Sequence, residues 1–67
     1  MTTAIERIIK AQEYLNIAMS LMHLKDIRER NNIWQEEEKE RINKNIATKL
    51  KNASGYIALA ITEVAEW

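Results

Sequence analysis

Aromatic rings with nearby cations are the side chains of this sequence best suited to chemistry, because together they can bind a small anionic ligand. Tyr14 follows Lys10 by four residues, and Trp34 lies close to Arg28 and Arg30. An aromatic ring can stack on a nucleobase, while ammonium and guanidinium groups neutralise phosphates. The alternative is that both aromatic residues anchor a packing interface. The ligand-binding residues predicted from these groups are Tyr14, Lys10, Lys25 and Arg28.

Catalytic residues are not expected. The sequence contains one histidine, His23, and no cysteine, and four of its ten carboxylates stand in one run at residues 36–40. A catalytic site needs several titratable groups that converge. His23 lies between two apolar series, where a partly buried interface histidine is the simpler interpretation. We therefore predict that the protein is not an enzyme.

Glutamates form the pattern closest to a metal site. Glu36-Glu37-x-x-Glu40 is followed by Glu63-x-x-Glu66, and this resembles the paired acidic motifs that hold magnesium in all-helical nucleotide pyrophosphohydrolases. One continuous helix would, however, separate Glu40 from Glu63 by roughly 35 Å. A solvated helix face explains these residues, so we predict no metal site and no cofactor.

The charges of the chain balance, with ten Lys and Arg against ten Asp and Glu. No net field therefore attracts the chain to duplex nucleic acid or to an anionic membrane. The lack of cysteine suits a reducing compartment, and no apolar run approaches the roughly 20 residues of a membrane span. We predict a cytoplasmic protein, with neither duplex nucleic acid nor a membrane as partner.

Two long helices must position these groups, since proline is absent and Gly55 is the only glycine. A capping box from Thr3 to Glu6 predicts that the first helix starts near residue 4. Asn31-Asn32 predicts the break, with Asn32 capping the second helix. The predicted fold is all-α, a single antiparallel helical-hairpin domain over residues 1–67. Gly55 predicts a close backbone approach or, alternatively, a turn at 52–55 followed by a short third helix.

Apolar residues recur on two sides of each predicted helix, at alternating spacings of four and three residues. The first helix carries one series of Ala4, Ile8, Ala11, Leu15, Ala18 and Met22, and another of Tyr14, Ile17, Leu21 and Leu24. The second helix carries Ile46, Leu50, Ala53, Ile57, Ala60, Val64 and Trp67. A hairpin partner covers only one series per helix, so we predict a homo-oligomer. Its predicted interface residues are Ile17, Leu21, Leu24, Ile57, Ile61 and Val64.

The second helix resembles a known family. The second-helix signature of the phage anti-CBASS nucleotide-sponge family, whose hairpin domain recurs in anti-Thoeris sponges, is similar to the residues Leu50, Ala53-Ser54, Tyr56 and Ala60-Ile61-Thr62. The segment departs from that signature where Gly55 replaces a larger residue, Lys51 and Asn52 replace acidic residues, and Tyr56 replaces a tryptophan.

The resemblance implies an oligomeric helical hairpin that binds cyclic oligonucleotide immune signals, such as cyclic di- or trinucleotides, between protomers without cleaving them. Members of the family bind through an aromatic residue and a lysine of the early helix, and Tyr14, Lys10 and Lys25 are of suitable type. The sequence leaves one alternative function open. It is a small helical protein-interaction module, an inhibitor or regulator that acts through its apolar helix faces.

Overall fold

The computed structural model describes residues 2–32 and 34–67, which form two α-helices. Helix α1 spans Thr2–Asn31 and helix α2 spans Glu36–Ala65. The helices are antiparallel, because Arg7 near the start of α1 contacts Leu59 near the end of α2, while Arg28 contacts Glu38 at the opposite end. The prediction of an all-α helical hairpin is confirmed.

The helix ends differ from the predicted ones. Helix α1 already includes Thr3, so the predicted capping box at Thr3 is wrong, because a capping residue must have a non-helical backbone. Asn32 does not cap α2. It has a φ of 54°, and its N–H donates to the Glu29 carbonyl at 3.2 Å. Asparagine adopts this left-handed conformation more readily than most residues, so Asn32 ends α1, and Gln35 precedes α2 in an extended conformation.

Helix α2 runs through Gly55 without a break, so the alternative of a turn and a short third helix is wrong. The helix retains its hydrogen bonds there despite a glycine cost of about 1 kcal/mol. Apart from the surrounding turns of α2 itself, none of the described residues lies within 4 Å of the position that a Cβ atom would take at Gly55. The predicted close backbone approach is therefore absent within one chain.

Alanines form the seam between the helices. The buried residues of the hairpin are Ala4, Ala11, Ala18, Ile46, Ala53 and Ala60. They recur every seven residues, as the inward positions of paired helices do. Half-buried side chains three residues after them complete the seam, namely Arg7, Tyr14 and Leu21 in α1, and Lys49, Tyr56 and Glu63 in α2.

The large apolar residues that share the predicted series with the alanines are exposed. They stand four residues after the buried residues, whereas the residues three positions after the buried ones face the other helix. We call the resulting surface the apolar face; it comprises Ile8, Leu15, Met22, Leu50, Ile57 and Val64, all exposed. Both helices contribute to this one side of the hairpin, because Leu50 lines a hollow together with Leu15 and Met22.

Candidate ligand-binding site

Two tyrosines meet across the hairpin on the side opposite the apolar face. The rings of Tyr14 and Tyr56 stack with a centroid separation of 5.8 Å and an interplanar angle of 17°. Both rings are half-buried, so each packs against the other helix and keeps part of its surface open. Each tyrosine stands three residues after one buried alanine and four before the next. This shared position explains why the two rings meet.

The two helices repeat one pattern at an offset of 42 residues, or six heptads. The correspondences are Arg7 with Lys49, Ile8 with Leu50, Ala11 with Ala53, Tyr14 with Tyr56, Leu15 with Ile57, Ala18 with Ala60 and Met22 with Val64. Because the helices are antiparallel, the repeat gives the hairpin an approximate two-fold symmetry about the tyrosine pair. No repeat was expected from reading the helices separately.

Cations surround the tyrosine pair. The Lys49 ammonium lies 5.7 Å from the centre of the Tyr14 ring, a cation–π contact. Arg7 and Lys10 line a hollow of about 240 Å³ together with Tyr56, Thr3 and one acidic residue, Glu6. The Arg7 guanidinium is partly engaged, since it donates to the Leu59 carbonyl at 3.2 Å. The site therefore combines stacking surface with positive charge on both helices.

A second hollow also borders Tyr56. It measures about 510 Å³ and is lined by Lys51, Asn52, Gly55, Tyr56 and Leu59. Gly55 leaves room here because it has no side chain. Tyr56 thus borders two open hollows, and at least one cation lines each of them.

Carboxylates balance part of this charge. Lys10 pairs with Glu13 at 3.5 Å, but both side chains are more than half exposed, so the pair contributes little and Lys10 is available to a ligand. Glu63 lies in the seam, and its Oε2 atom is buried without a hydrogen-bond partner among the described residues. A cationic group beside Glu63 would be attracted to this carboxylate, whereas an anionic group would be repelled by it.

The predicted ligand-binding residues fall into two separate groups. Tyr14 and Lys10 lie at the tyrosine pair, whereas Lys25 and Arg28 lie near the hairpin tip, and Arg28 is roughly 21 Å from Tyr14 along α1. At the tip, Trp34 donates to the Lys25 carbonyl at 3.3 Å. Arg28 lies 5.6 Å from the centre of the Trp34 ring and forms an ion pair with Glu38. These contacts tie α1 to the start of α2.

Sequence reasoning missed Arg7, Lys49 and Tyr56 as members of the site. The signal that could have identified Tyr56 and Lys49 is the 42-residue repeat, because it places Tyr56 where Tyr14 stands and Lys49 where Arg7 stands. Tyr56 was noted only within the family resemblance.

The predicted interface residues are also divided between surfaces. Ile57 and Val64 belong to the apolar face, and the exposed Ile61 lies beside it. Leu21 is half-buried in the hairpin seam. Ile17 and Leu24 are both exposed. They follow Lys10 at seven-residue intervals, so they lie on the same side of α1 as Lys10 and flank the seam on the tyrosine side.

Within residues 2–32 and 34–67, no three His, Cys, Asp or Glu side chains cluster closely enough to hold a metal ion. Neither of the two helices is long and apolar enough to cross a membrane. The chain matches no family model, no curated protein and no solved structure.

Proposed function

We propose that the chain binds a cyclic oligonucleotide at the tyrosine pair and sequesters it without cleaving it, as a small self-associating protein of phage type. One observation carries this proposal. Stacked Tyr14 and Tyr56 share one surface with Arg7, Lys10 and Lys49, so aromatic faces and cations converge from two helices.

The chemistry of the ligand class fits this surface. Each nucleobase offers a flat face, for which stacking on an aromatic side chain contributes about 1–3 kcal/mol. Each phosphodiester carries one negative charge, which Lys and Arg neutralise through charge-assisted hydrogen bonds. Sequestration needs no bond cleavage, so stacking and charge neutralisation are sufficient.

The exposed apolar face favours a second candidate, a protein-interaction module that acts as an inhibitor or regulator. Leu15, Met22 and Leu50 line one hollow of about 370 Å³, which an apolar helix of another protein could fill. This candidate uses the opposite side of the hairpin and gives no role to the cations around Tyr14 and Tyr56.

Retention followed by release tests the proposed function. The protein is incubated with cyclic di- and trinucleotides, unbound ligand is removed by ultrafiltration, and retained ligand is recovered by heat denaturation and chromatography. We expect at least one cyclic nucleotide to be retained and recovered intact. The Tyr14→Leu variant should lose retention, whereas Lys44→Gln, on the exposed surface of α2 away from the site, should keep it.

Two outcomes would contradict sequestration. No retention of any cyclic nucleotide would favour the interaction module, and recovery of linear products would indicate cleavage.

A further inference from the structure

The apolar face is too exposed for a stable single hairpin. Its members are between 36 and 48% exposed, while the fully buried positions are almost all alanines. Four further large apolar residues, which are 54–65% exposed, extend this surface, namely Ile5, Met19, Ile61 and Trp67. Alanine burial contributes little, because the stabilisation scales with apolar area removed from water. A large part of the apolar surface of this sequence therefore remains exposed in one chain.

The total surface is larger than that of a compact monomer. The chain exposes 5226 Å², whereas a compact monomer of 7.9 kDa is expected to expose about 4,400 Å². The excess of roughly 800 Å² is similar to the area that each partner contributes to a specific protein interface of standard size. Pairing with one partner of similar dimensions would bring the exposed area per chain into the range of compact proteins.

The face is uncharged where the apolar residues lie. The polar residues that share the seven-residue spacing of this surface are both uncharged. They are Gln12, between Ile5 and Met22, and Ser54, between Leu50 and Val64. The opposite side of the hairpin carries the cations and carboxylates around the tyrosine pair. A dry interface therefore forms at lower cost on the apolar face than on the tyrosine side.

The symmetry of the face matches a second copy of the chain. The 42-residue repeat places Ile8, Leu15 and Met22 on α1 where Leu50, Ile57 and Val64 stand on α2. Rotating the hairpin by 180° about the axis at the tyrosine pair therefore gives a similar apolar face. Two copies of the chain thus present apolar residues to each other at the same seven-residue spacing. Knobs-into-holes packing between helices requires this matched spacing.

We infer that a second copy of this chain covers the apolar face and forms a four-helix bundle, with the two tyrosine pairs on its outer surfaces. Leu15 and Ile57 lie in the core of this bundle, and Ile17 and Leu24 lie outside it. Self-association is part of the proposed function, but this interface is on the opposite side from the ligand site and is tested without ligand. A helix of another protein is the competing occupant.

Sedimentation equilibrium on matched variants tests this interface. Leu15 and Ile17 stand two residues apart, are 39 and 44% exposed, and flank the seam on opposite sides. We expect the parent to be a dimer at micromolar concentration, Leu15→Lys to dissociate it at least tenfold more readily, and Ile17→Lys to leave it unchanged. A monomeric parent, equal effects of the two variants, or a larger effect of Ile17→Lys would overturn the inference.

Cysteine reactivity covers the case in which Leu15→Lys does not fold. The sequence has no cysteine, so a single Leu15→Cys or Ile17→Cys substitution gives one thiol per chain with little change in polarity. At concentrations at which the dimer forms, a monofunctional maleimide should modify the thiol of Ile17→Cys at least severalfold faster than the thiol of Leu15→Cys, because only the latter is buried between the two copies. The reverse preference, or no difference between the two, would overturn the inference.

Discussion

The ring of Tyr14 stacks on the ring of Tyr56 at a centroid distance of 5.8 Å, although the two residues stand 42 positions apart in the sequence. The contact aligns the helices, because each tyrosine lies between the second and third buried residues of its helix. It also creates the surface to which we assign ligand binding. A structural role and the proposed binding role therefore fall on the same pair of side chains.

The stacked pair predicts energetic coupling between the two tyrosines. In a double-mutant cycle of Tyr14→Leu and Tyr56→Leu, the coupling free energy should be about 0.5–1.5 kcal/mol, the usual contribution of an aromatic pair beyond its buried area. Urea unfolding at one fixed protein concentration measures it. A control cycle of Tyr14→Leu with Lys44→Gln should give a coupling below about 0.5 kcal/mol. Equal values in the two cycles would mean that the stack contributes no specific stability.

The alanine seam predicts that added volume destabilises the hairpin. Ala53 is 1% exposed, so Ala53→Leu should lower the free energy of unfolding by about 1–3 kcal/mol through overpacking. Ala58 lies on the exposed side of the same helix, and Ala58→Leu provides the matched control, with an effect within about 0.5 kcal/mol. Thermal or urea unfolding of both variants decides this. If Ala53→Leu is as stable as Ala58→Leu, the helices do not approach along the alanines.

Gly55 predicts a gain in stability on substitution. The residue lies inside a continuous helix, and a Cβ atom there would meet no neighbouring group. Gly55→Ala should therefore raise the free energy of unfolding by about 0.4–1 kcal/mol, because alanine loses less conformational freedom in a helix. Urea unfolding is again the measurement. A loss of stability would indicate that another chain approaches the backbone closely at this position.

Lys10 predicts a salt-sensitive contribution to nucleotide binding. Its ammonium lies beside the hollow that Tyr56 borders, so Lys10→Gln should weaken binding about tenfold, or 1.4 kcal/mol. It should also reduce the dependence of the dissociation constant on salt. Lys44→Gln is the control with equal loss of charge, because Lys44 is roughly 18 Å from Tyr56 along α2. An equal effect of the two substitutions would place the phosphates elsewhere.

The hairpin was predictable from the sequence because its signals are local. Lack of proline and seven-residue apolar spacing leave few alternatives to two long helices. The side on which the helices pack was not predictable in the same way. From Ala11, a seam continues equally well through Tyr14 or through Leu15, since both follow helical spacing. The choice depends on the partner helix, where Ala53 and Tyr56 repeat the same arrangement.

The candidate site was partly predictable for a similar reason. Lys10 and Tyr14 are four residues apart on one helix, so local spacing identifies them together. Tyr56 and Lys49 join them only through the antiparallel pairing of α1 with α2. Arg28 was predicted to bind ligand because of its charge; in the structure it contacts Trp34 and Glu38 at the hairpin tip, away from the tyrosine pair.

Calorimetric titration of the parent chain with a panel of cyclic di- and trinucleotides tests the central claim most directly. We predict a saturable heat of binding for at least one ligand, which Tyr14→Leu abolishes while circular dichroism shows that the helices remain. Because stacking contributes about 1–3 kcal/mol per base, this loss should be well within the range of the method. Flat titrations with every member of the panel at millimolar ligand would contradict the assignment of nucleotide binding to the Tyr14–Tyr56 pair.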